Sequence, residues 1–128
     1  AWASAAAAEF GLGDAAEVQG VVACILGSPQ CAPFFDAERL AWAGNEVPIA
    51  ACGPAGAGQV LRIDRLVCTV GPEPTWWVLD YKLAAQPQCN PAYCEQLAAY
   101  RRAVQALQPG ERVRAAFING AGELIELV

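Results

Sequence analysis

An apolar run that ends in charged residues places the strongest constraint on the fold of this chain. Residues 76–79 (WWVL) are typical of a strand buried on both faces, and Asp80-Tyr81-Lys82 follows directly. Because side chains alternate along a strand, we predict that Asp80 and Lys82 share one face and that Tyr81 lies on the other. Unpaired charge is costly to bury. The two charges therefore form either an ion pair at a strand end or part of a site for a metal ion and water.

A second carboxylate, Asp64, lies in another strand-like run, residues 60–67, which is rich in Val, Leu and Ile. Residues 69–75 between the two runs are rich in turn-forming Gly and Pro and predict an antiparallel hairpin. This hairpin would bring Asp64 near Asp80, with Lys82 beside them. Two carboxylates in a small volume repel each other, and a divalent cation relieves that repulsion. Mg²⁺ suits such a site because it binds oxygen ligands and keeps several waters.

Three motifs occur in a defined order: Gly58 followed by Ile63-Asp64-Arg65, then residues 78–82 (VLDYK), then Gln96-Leu97 with Tyr100. In this order and spacing they resemble the C-terminal nuclease domain of bacterial RecB/AddA-type (UvrD/Rep superfamily) helicase-nucleases, members of the PD-(D/E)xK nuclease superfamily. The resemblance extends through residues 45–49, 108–110 and 113–117, and it covers most of the chain from Cys24 onward.

The resemblance implies an α/β fold in which helices flank a mixed central sheet of about five strands, as in restriction endonucleases. It implies that residues 1–128 are a single nuclease domain, a fragment of a longer helicase-nuclease. The expected function is Mg²⁺-dependent, exonuclease V-like DNA cleavage in double-strand-break repair and recombination. One alternative is a catalytically inactive structural or DNA-contacting domain of a UvrD/Rep-type helicase. Another is an unrelated soluble ligand-binding domain.

The same resemblance assigns roles to individual residues. Asp64, Asp80 and the Tyr81 carbonyl would hold Mg²⁺, with Mn²⁺ as the alternative ion. Lys82 would orient the attacking water and act through its charge. Gln96 and Tyr100 would support the site or position the DNA, whereas without the resemblance Tyr100 would be a core residue and Gln96 its solvated neighbour. The implied partners are DNA, the helicase domains of the same parent chain and a second helicase-nuclease subunit.

One feature of the family is missing from this sequence. Relatives carry a further site residue, often His, on a helix before the sheet, and this chain contains no His. We therefore expect that helix to lie upstream of Ala1. Glu17 could substitute, but its position three residues after Asp14 is typical of a capping box, which is the favoured role.

Composition bounds these expectations. The length of 128 residues suits one domain. The net charge of −5 is unusual for a stand-alone DNA-binding domain, which is normally basic, so a basic DNA path would have to lie on another domain. The sequence contains no apolar stretch of about 18 residues, so we expect no membrane span. The cysteine usage fits a reducing cytoplasm better than a disulfide framework, so we expect a cytoplasmic location. Six Cys without a C-x-x-C pair predict free thiols rather than a zinc site or iron–sulfur cluster, with Cys24, Cys52 and Cys68 in the core.

The remaining elements follow from periodicity and breakers. We predict a frayed helix over residues 1–10, an amphipathic helix from Asp14 to about residue 26, a first strand over residues 45–52 and a final hairpin over residues 113–128. Pro48 indicates an edge strand or a bulge. Glu46 either faces the site or is solvated, and solvation is the favoured role. Asn90-Pro91 predicts the start of a further helix, which Pro109-Gly110 ends. Its core-facing stripe is predicted to comprise Tyr93, Leu97, Tyr100, Val104 and Leu107.

Overall fold

A computed structural model of the chain describes residues 15–50 and 58–128. The predicted frayed helix over residues 1–10, the Asp14 cap, Cys52 and most of the glycine-rich turn at residues 53–58 lie outside the described residues. Among the described residues, no helix is both long enough and apolar enough to span a membrane.

The centre of the fold is a mixed sheet whose strands lie side by side in sequence order. They are β1 (Leu40–Ala50), β2 (Val60–Thr69), β3 (Thr75–Lys82), β4 (Arg112–Asn119) and β5 (Leu124–Glu126). Neighbouring strands are antiparallel except β3 and β4, which are parallel. The hairpin predicted between the Asp64 and Asp80 strands is therefore confirmed, as is the α/β class with a mixed sheet of five strands.

Two α-helices accompany this sheet within the described residues, α1 (Ala15–Leu26) and α2 (Pro91–Leu107). A parallel strand pair needs a long crossover connection, and α2 supplies it between β3 and β4. The Asn90 side chain accepts a hydrogen bond of 3.0 Å from the Ala92 N–H, and Pro91 occupies the first turn, as predicted from the Asn-Pro pair. Short 3₁₀ turns occupy Ala32–Phe34, Ala37–Arg39 and Pro87–Cys89.

Apolar side chains form one cluster on each face of the sheet. On the α1 face the buried members are Ile25, Cys31, Phe34, Val67, Trp77, Leu79, Tyr81, Ala116 and Ile118. On the α2 face they are Ile49, Ile63, Leu66, Val78, Leu97, Tyr100, Ala103, Val104, Ala115 and Phe117. Adjacent residues of β3 and β4 alternate between the two clusters, so both of these central strands are covered on both faces, as predicted for residues 76–79.

Strand alternation changes within β2. Leu66 and Ile63 both belong to the α2-face cluster, although residues three apart on a regular strand lie on opposite faces. Arg65 lies between them on the α1 face, where its Nε donates a 3.0 Å hydrogen bond to the Phe34 carbonyl. The change therefore occurs at Asp64, which sits between Arg65 and Ile63.

The neighbouring strand β1 changes at the same level. Trp42 contacts Trp76 on the α2 face, with ring centroids 5.8 Å apart, and Val47 packs on that same face five residues later. Between them, Glu46 adopts a left-handed backbone with φ of 49°, which is uncommon for a residue other than Gly. The pairs on either side of it, Asn45–Arg65 and Val47–Ile63, place Glu46 opposite Asp64. Strained backbone of this kind often lies next to functional sites.

Several details differ from the predictions. The first strand begins at Leu40 rather than residue 45, although its edge position, expected from Pro48, is confirmed. Leu107 is 57% exposed because the buried stripe of α2 ends one turn earlier, at Val104. Cys24 is exposed rather than in the core, because the adjacent Ile25 occupies the buried side of α1 and successive helical residues point about 100° apart.

Two other predictions about the cysteines, a buried Cys68 and free thiols, agree with the structure. Cys68 is buried, and all five described cysteines, at positions 24, 31, 68, 89 and 94, are free thiols.

Glu46 is exposed, as expected. Phe34 packs under the sheet with its ring centroid 5.0 Å from that of Trp77.

Candidate active site

The candidate site lies where the hydrogen-bonded ladder between β2 and β3 ends. The last paired residues are Arg65 and Leu79, and the next position in this register places Asp64 opposite Asp80. Instead of continuing the ladder, Asp64 accepts a 2.9 Å hydrogen bond through its Oδ2 from the Tyr81 N–H. The Asp64 carboxylate therefore lies against the peptide group that joins Asp80 to Tyr81. The change of alternation at Asp64 is the local feature that allows this contact.

Asp80 and Lys82 lie on the same face of β3, as alternation predicts. Lys82 Nζ is 3.1 Å from Asp80 Oδ2, and Tyr81 between them is buried in the cluster on the α1 face. Both carboxylates are almost fully buried, with 3% of Asp64 and 2% of Asp80 exposed. Two acidic groups held out of water at one strand end are an electrostatic liability unless cations oppose them.

One oxygen of the site has unused hydrogen-bonding capacity. In the part of the chain that the structure describes, Asp80 Oδ2 is the buried side-chain oxygen that makes no hydrogen bond. The Lys82 ammonium is close enough for an ion pair, but the direction of its approach does not meet hydrogen-bond geometry. Buried polar atoms nearly always have hydrogen-bond partners, so this oxygen is the feature of the site that most calls for a ligand.

The ring of Tyr93 faces the site from the first turn of α2. Lys82 Nζ lies 4.8 Å from the centroid of this ring, within the range of a cation–π contact. The side chain of Lys82 is only 14% exposed, so Asp80 and Tyr93 contact an ammonium that is largely removed from water. Sequence reasoning placed Tyr93 in the core stripe and did not connect it with Lys82.

The segment after Lys82 is attached to the end of β4. Asn119, which pairs with Lys82 in the parallel ladder, is fully buried. Its Nδ2 donates to the Ala85 carbonyl at 3.0 Å and to Glu123 Oε1 at 3.1 Å. Its Oδ1 accepts from the Ala121 and Glu123 N–H groups. Asn119 thus joins the loop that leaves the site to the β4–β5 turn.

On the opposite face, Arg65 is a buried cation with a different environment. Its Nε donates to the Phe34 carbonyl at 3.0 Å, its Nη1 donates to Asn45 Oδ1 at 2.8 Å, and its guanidinium lies 4.6 Å from the centre of the Phe35 ring. Burial lowers the pKa of Arg65, while the neighbouring Tyr81 acts in the opposite direction. These contacts join the 3₁₀ segment to the edge strand β1.

The predicted site residues lie on β2, β3 and the two helices. Asp64, Asp80, Tyr81 and Lys82 converge at the end of the β2–β3 ladder. Tyr100 lies in the core cluster on the α2 face with 9% of its surface exposed, and Gln96 is exposed on the same helix. Glu17 is exposed on α1, in the wall of a separate cleft that it forms with Cys24, Leu83 and Gly120.

A signal in the sequence could have singled out Lys82 without any resemblance. The chain has eight Lys and Arg residues, and Lys82 is the single lysine. The remaining cationic residues are all arginine. Arg has a planar fork of donors, whereas Lys has a compact ammonium on a flexible stem, so the two are not interchangeable in a tight site. A unique lysine beside a buried aspartate therefore indicates a position that requires an ammonium.

The donor atoms at this site fit a hard divalent cation. Asp64, Asp80 and the Tyr81 main-chain carbonyl offer oxygen donors, and Asp80 Oδ2, which has the ion pair with Lys82 but no hydrogen bond, would gain a second partner. Within residues 15–50 and 58–128, no three His, Cys, Asp or Glu side chains form a metal-binding group. A protein site with only two carboxylates matches Mg²⁺, which commonly binds through one or two carboxylates and retains waters, better than Zn²⁺, which favours His and Cys.

No protein-family model matches the chain, and a search of curated proteins finds no match.

Proposed function

We propose that the chain is the Mg²⁺-dependent DNA nuclease domain of an ATP-dependent helicase-nuclease that acts in double-strand-break repair and recombination, with a restriction-endonuclease-like fold. The observation that carries the proposal is the buried Asp80 Oδ2, which makes no hydrogen bond, on the residue whose peptide link to Tyr81 meets the Asp64 carboxylate. The sequence resemblance supports the same assignment, because its motifs contain these residues.

In this proposal each residue has a defined role. Asp64, Asp80 and the Tyr81 carbonyl hold Mg²⁺, or Mn²⁺ in its place. The bound ion supplies Lewis-acid activation of a water molecule and offsets charge on the phosphate. Lys82 donates hydrogen bonds from a fixed ammonium and orients the attacking water. Gln96 and Tyr100 support the α2 side of the site and the path of the DNA strand.

A catalytically inactive scaffold is the second candidate function. The observation that favours it is the direct 3.1 Å ion pair of Lys82 and Asp80, which could stabilise the strand end without a metal. The net charge of −5 also argues against this piece alone holding DNA, so the nuclease proposal places the basic DNA path on other domains of the parent protein.

A cleavage assay on the full-length parent helicase-nuclease tests the proposal. Linear DNA, Mg²⁺ and ATP are supplied, and the variant is Asp80→Ala. We expect cutting to fall by about 10²-fold or more, the scale seen when one preorganised stabilising group is removed, while ATP-driven unwinding is unchanged. Glu38→Ala, which removes an exposed carboxylate, is the matched control and should cut like the parent. Equal cutting by Asp80→Ala, or a parent that unwinds but never cuts, would overturn the proposal.

A further inference from the structure

We propose that Tyr93 is a positioning residue for Lys82: its ring holds the ammonium at the Asp80 end of β3 and thereby sets where this cation acts. The inference rests on the proposed function for its consequence in catalysis, but its structural part can be measured without any activity.

Contacts from two elements define the position of the Lys82 ammonium. Lys82 Nζ has two close contacts from two different elements, Asp80 Oδ2 at 3.1 Å on β3 and the Tyr93 ring centroid at 4.8 Å on α2. A lysine stem has four flexible carbons, so one contact would leave the ammonium free to swing. Two contacts, in a side chain that is 14% exposed, restrict it to one region of the site.

The fold places the Tyr93 ring independently of Lys82. Tyr93 is the third residue of α2, and the start of this helix is determined by the Asn90 cap and by Pro91. Tyr93 also packs against the apolar cluster on the α2 face. The ring is therefore a preformed surface, and its electron-rich face attracts a cation.

The ring contact suits an ammonium whose carboxylate partner must also be available to a metal ion. Asp80 is the proposed metal ligand, so its oxygens cannot be reserved for Lys82. An aromatic ring attracts the cation without competing for the carboxylate, because it offers no negatively charged oxygen to a metal ion. Tyr93 therefore keeps Lys82 in the site without reducing the number of oxygens available there.

The single lysine makes the contact directly observable. When the 128-residue chain is produced with ¹³C-labelled lysine, all lysine side-chain NMR signals come from Lys82. Protons above an aromatic ring are shifted upfield, so we expect the Lys82 ε-methylene signals to be displaced from their random-coil position. Tyr93→Phe keeps the ring and should keep the displacement. Tyr93→Leu removes the ring at similar volume and should return the signals toward the random-coil position. Leu107→Ala removes an exposed apolar side chain from the other end of the same helix; it is the control and should leave the signals unchanged.

Activity supplies the second readout. In the full-length parent, we expect Tyr93→Leu to lower kcat for DNA cleavage about 3–30-fold, the factor that corresponds to a cation–π contact, with KM for DNA unchanged. Tyr93→Phe should cut at the parental rate. A Leu variant with parental Lys82 signals, or a Phe variant as impaired as the Leu variant, would overturn the positioning role. If Asp80→Ala cuts normally but the Lys82 signals respond to Tyr93→Leu, then the proposed function fails and the Tyr93–Lys82 contact stands.

Discussion

Arg65 and Asp80 are both buried charged residues on neighbouring strands, but they lie on opposite faces of the sheet and have opposite surroundings. Arg65 donates to the Phe34 carbonyl and to Asn45 and lies against the Phe35 ring. Asp80 has one ion pair and an Oδ2 without a hydrogen bond. A buried charge with satisfied donors joins parts of the structure, whereas a buried charge with unused capacity can still bind a ligand. The comparison separates a structural charge from a candidate functional one.

The largest effect on stability is expected on the α1 face. Arg65→Met should lower the free energy of unfolding by about 2–4 kcal/mol, because it removes two hydrogen bonds and leaves the Phe34 carbonyl and Asn45 without their donor. Urea denaturation followed by tryptophan fluorescence measures this loss. Arg62→Met on the same strand is the matched control, and because Arg62 is exposed its change should stay within about 0.5 kcal/mol. Similar losses in the two variants would contradict the structural role of Arg65.

On the α2 face, the corresponding change should have a smaller effect. Without divalent cations, Asp80→Ala should leave the free energy of unfolding unchanged within about 1 kcal/mol or raise it, because it relieves repulsion between carboxylates. Lys82 keeps its contact with the Tyr93 ring in this variant, so its ammonium is not left without a favourable contact. Thermal melts in EDTA measure this effect directly.

The same melts with Mg²⁺ sharpen the comparison. A ligand that binds only the folded state stabilises it by about 2.7 kcal/mol at a hundred times its Kd, so the parent should gain stability and Asp80→Ala should not. Glu38→Ala should gain as much as the parent. The ion-pair alternative predicts the reverse pattern, with Asp80→Ala destabilised by about 1–3 kcal/mol and a parent that is indifferent to Mg²⁺. That result would contradict the proposed metal site in this chain.

The smallest effect concerns a thiol on the α1 face. Cys31 is fully buried, and its Sγ donates a 3.2 Å hydrogen bond to the Gly122 carbonyl. Burial raises the pKa of Cys31. This effect is larger than the opposing effect of a side-chain hydrogen bond with Ser28, which lowers the pKa. The folded state therefore keeps this proton to higher pH than the unfolded chain, where a thiol has a pKa of about 8.5. The resulting stabilisation is complete below that value and is lost as the pH rises through the folded pKa.

Unfolding measured between pH 8 and pH 10 tests this linkage. The parent should lose stability over this range, and Cys31→Ala should lose less than the parent does. Cys24→Ala, which removes an exposed thiol from α1, is the control and should follow the parent. Parallel pH profiles for the parent and Cys31→Ala would show that Cys31 makes no contribution to the pH dependence.

The parts of the site that could be predicted are those that depend on neighbours in sequence. Alternation placed Asp80 and Lys82 on one face, and the Gly- and Pro-rich segment before Thr75 predicted the hairpin that brings Asp64 beside them. The sequence pattern of α2 could not distinguish Tyr93 from Leu97, because both lie in one apolar stripe. Their difference arises from position along the sheet: Leu97 lies above the core, and Tyr93 lies above the end of β3, where Lys82 meets it.

The amino-acid sequence by itself determined where the strands and helices form, because alternation, the Asn90 cap and the glycine and proline breakers act over a few residues. Only the tertiary structure decided three features: the change of alternation at Glu46 and Asp64, the partners of Arg65, and the Tyr93 ring against Lys82. Each of these joins residues that are far apart in the chain. Contacts of that kind depend on how complete elements pack, and the pattern within any one element does not contain that information.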